Sequence, residues 1–260
     1  MVFFDLLYNL NISRKSLMNL VIDQGNTICK IAFFDKQDEP VDVINCMDLN
    51  VAFLDEIIKR NHPGSCILSS VKDSRPEILQ FLKENVDFFL QLDYTTSLPI
   101  KNAYKTPQTL GLDRVAAAVG AWGIQPGKPL LIIDMGTAIT YDFVSEDGTY
   151  LGGNIAPGLR MRLQALNMYT DKLPLVEPYT IFDSLGSDTE MAIRAGVMQG
   201  IVYEVEGYFR SLQQSHYNLF AFLTGGDLIY FDGKLKNGIF VFKNLVLIGL
   251  NRILHYNANS

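Results

Sequence analysis

Apolar residues in this chain fall into short blocks divided by clusters of Gly, Pro, Asn, Asp and Ser, and their spacing changes from block to block. In the first half, apolar or alternating runs at 19–23, 28–35 and 40–45 predict β-strands. Residues 51–61 (VAFLDEIIKRN) switch to helical spacing, and 66–71 (CILSSV) return to a short buried-strand pattern. A second amphipathic helix is expected over 75–85, with Pro76 in the first turn where its missing N–H costs nothing, and 86–92 reads as a strand. The order is β-β-β-α-β-α-β.

The second half restarts in the same way. Strands are expected at 130–134 and 139–145, split by an Asp-Met-Gly-Thr turn, and 148–158 continues as a strand into a Gly/Pro loop. A helix follows from Leu159, and the longest helix spans 187–215, with Ser187 and Glu190 placed to form a capping box. Residues 219–227 read as a strand entering a glycine turn, and a final helix is expected over 244–257. Between the halves, 104–122 (YKTPQTLGLDRVAAAVGAW) breaks at Gly111-Leu112 and then runs on in small residues suited to a tightly packed helix.

One element repeats. Val21-Ile22-Asp23-Gln24-Gly25-Asn26-Thr27 aligns without a gap to Ile132-Ile133-Asp134-Met135-Gly136-Thr137-Ala138, and each copy leads into another apolar strand. A single Asp-x-Gly is an ordinary hairpin turn. Two, each opening a strand-rich half, point to a duplicated lobe.

The residue types in these turns suit a phosphate. Backbone N–H groups face outward at a tight glycine, Thr and Asn add donors, and Lys30 adds a positive charge. Asp23 and Asp134 cannot bind phosphate directly, but a carboxylate can hold a cation that bridges to it. At 111–114, Asp113 could accept a proton from a hydroxyl while Arg114 holds a carboxylate, although an acid in a first helical turn also serves as plain capping.

Composition narrows the class. The 260 residues (29.2 kDa) are 48% hydrophobic, enough for two packed lobes, and no low-complexity linker divides them. A net charge of −6 with pI near 5.1 argues against a nucleic-acid partner. No apolar run reaches the roughly 18 residues of a membrane span. Three scattered cysteines suggest a reducing, cytoplasmic setting rather than a disulfide framework. Residues 1–17 lack the basic start and cleavage site of a secretory signal, and the fold is expected to begin near Met18.

Taken together, DQGNTICK (23–30), GLDR (111–114), DMGTAIT (134–140), GGNIAPG (152–158) and SDTEMAIRAG (187–196) resemble type III pantothenate kinase, in the actin/hexokinase/Hsp70-like ATPase superfamily. The resemblance implies an α/β fold of two duplicated ribonuclease H-like lobes, 18–115 and 116–260 after the 1–17 leader, with the active site in the cleft between them. It implies ATP-dependent phosphorylation of pantothenate, the first step of coenzyme A biosynthesis. By the same resemblance, Asp23, Gln24, Gly25, Asn26, Thr27, Ile28, Cys29 and Lys30 form the first phosphate loop, and Thr137 contacts ATP. Asp113 is the proton acceptor; Tyr104, Gly111, Leu112, Asp113, Arg114 and Thr189 bind pantothenate. Asp134 holds K⁺ or NH4⁺, and Asp23 is a candidate ligand for Mg²⁺. The resemblance also implies a homodimer with the site at the subunit interface.

This chain has Asp188 where the family often has Asn, and a carboxylate there must point away from an anionic substrate or cap the helix. Two other readings stand beside the kinase: an exopolyphosphatase-like phosphohydrolase, which needs no GxDR acid, and a nucleotide-binding regulator. His62, His216 and His255 lack metal-ligand spacing and read as structural, and Cys29 reads as a small buried residue. Gly196 and Gly200 could admit a close helix, from this chain or a second copy. TGGD (224–227) is a candidate adenosine-side turn, and GGNIAPG has no assigned contact.

Overall fold

The structure, a computed structural model, describes residues 18–25, 28–35, 39–72, 74–231, 233–235 and 238–259. Residues 1–17, and Asn26 and Thr27 of the expected phosphate loop, lie outside the described residues. Two compact units are present. One comprises the chain up to Ser97, Gly111–Asp113 and the residues from Leu250 on; the other comprises Leu98–Leu110 and Arg114–Gly249.

The first unit is built on strands β1 (Asn19–Gln24), β2 (Cys29–Phe34), β3 (Pro40–Cys46), β4 (Ser65–Ser70) and β5 (Phe88–Gln91), with helices α1 (Val51–Asn61) and α2 (Pro76–Asn85). The sheet order is β3-β2-β1-β4-β5, antiparallel across the first three strands and parallel from β1 outward. Strand β1 is central, so Leu20, Val21 and Ile22 are buried; this is why it reads as an unbroken apolar run rather than an alternating one. Its other packed residues include Phe33, Leu54, Ile57, Leu68, Ile78 and Leu82, the inward positions of both helices and the sheet. Asn50 caps α1 by accepting from the Phe53 N–H at 3.0 Å, and His62 closes it in the left-handed conformation (φ 47°).

The second unit holds strands β6 (Lys101–Asn102), β7 (Leu130–Met135), β8 (Ala138–Val144), β9 (Thr149–Pro157), β10 (Phe220–Thr224) and β11 (Ile239–Val241). Its helices are α3 (Leu112–Ile124, from Arg114 on), α4 (Leu159–Met168), α5 (Thr189–Ser215) and the first turn of α6 (Leu245–Ala258). The sheet order β11-β10-β7-β8-β9-β6 contains the first unit's order again, with β9-β8-β7-β10-β11 in place of β3-β2-β1-β4-β5. The pairing directions match strand for strand. The duplication expected from two short turns is therefore a duplication of whole sheets. Strand β6 extends the second sheet, and β6 and β11, at two and three residues, were too short to leave a sequence pattern.

The small residues of α3 have a packing reason. A β-carbon on Gly249 of α6 would overlap the carbonyl of Ala116, and one on Gly120 would lie 2.5 Å from the carbonyl of Leu245. The two helix backbones touch where neither carries a side chain. In the first unit, Asn19 donates to Asn251 Oδ1 at 2.8 Å and meets His255 Nε2 at 3.0 Å, so His255 has the structural role expected.

Candidate active site

In the first unit, the Asp-x-Gly turn closes the β1–β2 hairpin. Asp23 pairs across the strands with Lys30 and Gln24 with Cys29, and the Gly25 N–H donates to the Ile28 carbonyl at 3.1 Å. Asn26 and Thr27, which follow Gly25 in the sequence, lie outside the described residues. Burial, followed by the negative charge of Asp113, raises the Asp23 carboxyl to about 6, with Lys30 pulling the other way. Two predicted site acids are thus brought within electrostatic reach of each other. Asp113 itself is exposed, in the first turn of α3, while Gly111 and Leu112 are half-buried. Gln24 accepts from the Ser70 hydroxyl at 3.0 Å, which ties the end of β1 to the end of β4. Burial and the facing Cys46 push the Cys29 thiol up, so it stays protonated and is no nucleophile.

In the second unit, the matching turn closes β7–β8 one residue sooner. Asp134 faces Thr140, Met135 faces Ile139, and the Gly136 N–H donates to Ala138 at 3.1 Å, leaving Thr137 alone and exposed at the tip. Backbone presses on this turn from two sides. A β-carbon on Gly158, the N-cap of α4, would overlap the Thr137 carbonyl, and one on Gly225 (φ 111°) would overlap the backbone of Met135. GGNIAPG, which has no assigned contact in the sequence, and TGGD, expected there as an adenosine-side turn, both press their backbones on the second turn.

Beside it lies a buried polar group that sequence reasoning missed. Arg114 is 6% exposed and Asp142, on β8, is 0% exposed. Arg114 donates to Asp142 through Nη2 at 2.6 Å and through Nε at 3.0 Å, and the Tyr150 hydroxyl donates to the same carboxylate at 2.7 Å. Thr140 adds a further hydrogen bond to Asp142. Burial works to raise the Asp142 carboxyl, and Arg114 and Tyr150 oppose it; hydrogen bonding and charge from Asp142 hold Arg114 firmly as a cation against its own burial. Tyr104 hydrogen-bonds the guanidinium, which lies 5.9 Å from its ring centre. Two predicted acceptor-site residues, Tyr104 and Arg114, thus meet. The available signal for Asp142 was an acid inside an otherwise apolar strand, which demands a buried partner.

Thr189 is the first residue of α5 and is exposed. The expected Ser187–Glu190 capping box is not what starts this helix: Asp188 is the N-cap, accepting from the Met191 N–H at 2.8 Å. A carboxylate does this more strongly than a serine hydroxyl, because it also meets the positive end of the helix dipole. The same bond settles how Asp188 is tolerated: it is a cap.

Among the described residues, no group of three or more His, Cys, Asp or Glu side chains is arranged to hold a metal ion. Single carboxylates at Asp23 and Asp134 nevertheless suit cations that take most of their ligands from water and phosphate. No described helix is long and apolar enough to cross a membrane.

Two copies of the same five-stranded sheet, each carrying an Asp-x-Gly hairpin, give the two-lobed α/β fold of the actin/hexokinase-type ATPases. Solved structures share this fold. A Baf family protein from Campylobacter jejuni aligns over 93% of this chain and 100% of its own, at 22% identity and TM-score 0.60. A glucokinase from an Antarctic psychrotroph aligns over 94% and 99%, at 13% identity and TM-score 0.53. Sequence comparison goes further: residues 19–211 match the type III pantothenate kinase family, and the chain belongs to it. Type III pantothenate kinases of Phocaeicola vulgatus (47% identical, 92% of this chain and 99% of that protein) and Porphyromonas gingivalis (39%, 92% and 99%) are similar along nearly their whole length.

Proposed function

We propose that this chain transfers the γ-phosphoryl group of ATP to the hydroxyl of pantothenate, the first committed reaction toward coenzyme A, with Asp113 as the general base. The observation that carries the assignment is the placement of Asp113: an exposed carboxylate opening α3, close enough to Asp23 for its charge to raise that group. Phosphoryl transfer asks a protein for alignment and charge neutralisation rather than covalent chemistry. Asp113 orients the acceptor hydroxyl and takes its proton as the bond to phosphorus forms.

The first turn, Asp23 to Lys30, binds phosphate oxygens through backbone N–H groups and the Lys30 ammonium. Thr137 contacts ATP from the second turn, while Tyr104, Gly111, Leu112, Arg114 and Thr189 bind pantothenate. Mg²⁺ at Asp23 and K⁺ or NH4⁺ at Asp134 supply neutralising charge when bound. The ion near Asp23 would relieve a carboxylate that burial and Asp113 hold out of its ordinary range. The protein acts as a cytoplasmic homodimer. Supporting this, among the described residues nothing beyond the helix's own neighbouring backbone lies within 4 Å of where a β-carbon on Gly196, Gly200 or Gly207 of α5 would sit, and Tyr203 is 62% exposed.

The test is ATP consumption with and without pantothenate, in K⁺ and in Na⁺ buffer. Turnover requiring both pantothenate and K⁺ is expected. Hydrolysis independent of pantothenate would instead identify a phosphohydrolase, and ATP binding without turnover a regulator.

A further inference from the structure

The buried ion pair Arg114–Asp142 has no obvious use in stability. Removing two charges from water costs several kcal/mol per ion, and apolar residues of like volume commonly hold a fold as well or better. Here the arrangement is unusually complete. Asp142 engages both the Nε and Nη2 edges of Arg114, which fixes the plane of the guanidinium as well as its position. The Tyr150 hydroxyl donates to Oδ1, the same oxygen that accepts from Nε and Nη2 of Arg114, and Thr140 adds a further hydrogen bond to the carboxylate. The Tyr104 and Tyr150 rings lie 6.2 Å apart at 51°, and Tyr104 also meets the guanidinium, so one carboxylate supports both Tyr104 and Arg114.

We propose that Asp142 is a positioning residue for the acceptor substrate, locking the Arg114 guanidinium and the Tyr104 ring into one rigid face that receives the acceptor's carboxylate. The inference rests on the reading of Tyr104 and Arg114 as pantothenate-binding residues. Asp142 touches no substrate. It acts by denying Arg114 the rotamers in which a planar donor array would miss a planar carboxylate, so its contribution falls on recognition of the acceptor's charge. ATP recognition, which uses other residues, is untouched.

The experiment compares wild type with Asp142→Asn and Tyr150→Phe. KM is measured for pantothenate and for ATP. Titration calorimetry in the presence of a non-hydrolysable ATP analogue then gives Kd for pantothenate and for its neutral amide, in which a carboxamide replaces the carboxylate. Wild type is expected to prefer the carboxylate by about 10-fold or more, and Asp142→Asn to raise KM for pantothenate by about 10- to 100-fold. KM for ATP should stay within about 2-fold, and the carboxylate-to-amide preference should collapse toward unity. General loosening of the fold would weaken both ligands together and leave their ratio intact. Tyr150→Phe removes one hydrogen bond and keeps the ion pair, so it should shift the ratio the same way by about 2- to 5-fold. If Asp142→Asn does not fold, this variant carries the test. A wild-type preference preserved in the variants, or an ATP KM that moves as far as that of pantothenate, overturns the positioning role alone. A wild type that does not turn over pantothenate overturns the proposed function with it.

Discussion

The first and second Asp-x-Gly turns occupy the same place in two copies of one sheet, yet different physics holds each of them. The first spans two residues between Gly25 and Ile28, faces its aspartate with Lys30, and has a second acid, Asp113, nearby. The second spans only Thr137, faces its aspartate with Thr140, and is pressed by the backbones of Gly158 and Gly225. A charge cluster marks the first turn, and backbone packing closes on the second. The two sheets share strand order and pairing directions while their turns differ in length and surroundings.

The largest expected effect is on the charged side. Asp113→Asn should lower kcat by about 10²- to 10⁴-fold, with nucleotide affinity largely kept, as read by steady-state kinetics and titration with a non-hydrolysable analogue. It should also let the Asp23 carboxyl fall toward its ordinary range, since a like charge is gone. A near-normal kcat would take the proton chemistry away from Asp113 and leave the first turn as a charge cluster without a catalyst.

On the packed side, Gly158→Ala should cost about 3 kcal/mol, because the added β-carbon meets a backbone carbonyl that cannot turn aside. Gly226→Ala is the control: among the described residues no atom beyond its chain neighbours lies within 4 Å of its β-carbon position, and the cost should stay under about 1 kcal/mol. Thermal denaturation of the two variants decides the matter, and equal losses would refute the packing account of the second turn.

Much of this was legible in the sequence, and the exceptions have physical causes. Helices α1 and α4 begin where their apolar spacing begins, and the central strands β1 and β7 show as aliphatic runs because both faces are covered. Strands β6 and β11 were silent because two or three residues cannot display a period. The Asp-x-Gly turns and GLDR could be read because their residue types are local. Asp142 could not be assigned, because its meaning depends on Arg114, 28 positions away in sequence. The α5 cap was placed on Ser187 where Asp188 serves, a one-residue shift that only the Met191 hydrogen bond decides.

Asp23→Asn tests the charge account from the stability side. The carboxyl of Asp23 rises from 3.8 to about 6 in the fold, so ionising it opposes folding. That cost is absent below pH 3.8, grows as pH rises between 3.8 and about 6, and is complete above it. At about 1.4 kcal/mol per pH unit the ceiling is about 3 kcal/mol. Without nucleotide or divalent ions, Asp23→Asn should therefore be more stable than wild type at pH 7.5 by about 2 kcal/mol, with the gain vanishing near pH 4. Denaturant melts at the two pH values measure it. A gain that does not depend on pH would show that shape, not charge, sets the first turn. The same variant should bind Mg-ATP more weakly, since the relief that a cation gives to Asp23 would be lost.

The smallest effect belongs to the tip of the packed turn. Thr137→Val keeps the β-branched shape and removes one hydroxyl, so neither the hairpin register nor the stacked backbones of Gly158 and Gly225 should change. Its loss should weaken nucleotide binding by about 1 kcal/mol, roughly fivefold in Kd, without altering stability by more than about 0.5 kcal/mol. Titration with a non-hydrolysable ATP analogue reads the first quantity and thermal denaturation the second. If the packed turn serves by holding one donor in a fixed place, affinity falls while stability stays. A fall in both would mean that the hydroxyl helps to hold the turn itself. Unchanged affinity would confine nucleotide recognition in this region to the backbone, and the contrast between the two turns would then be sharper still.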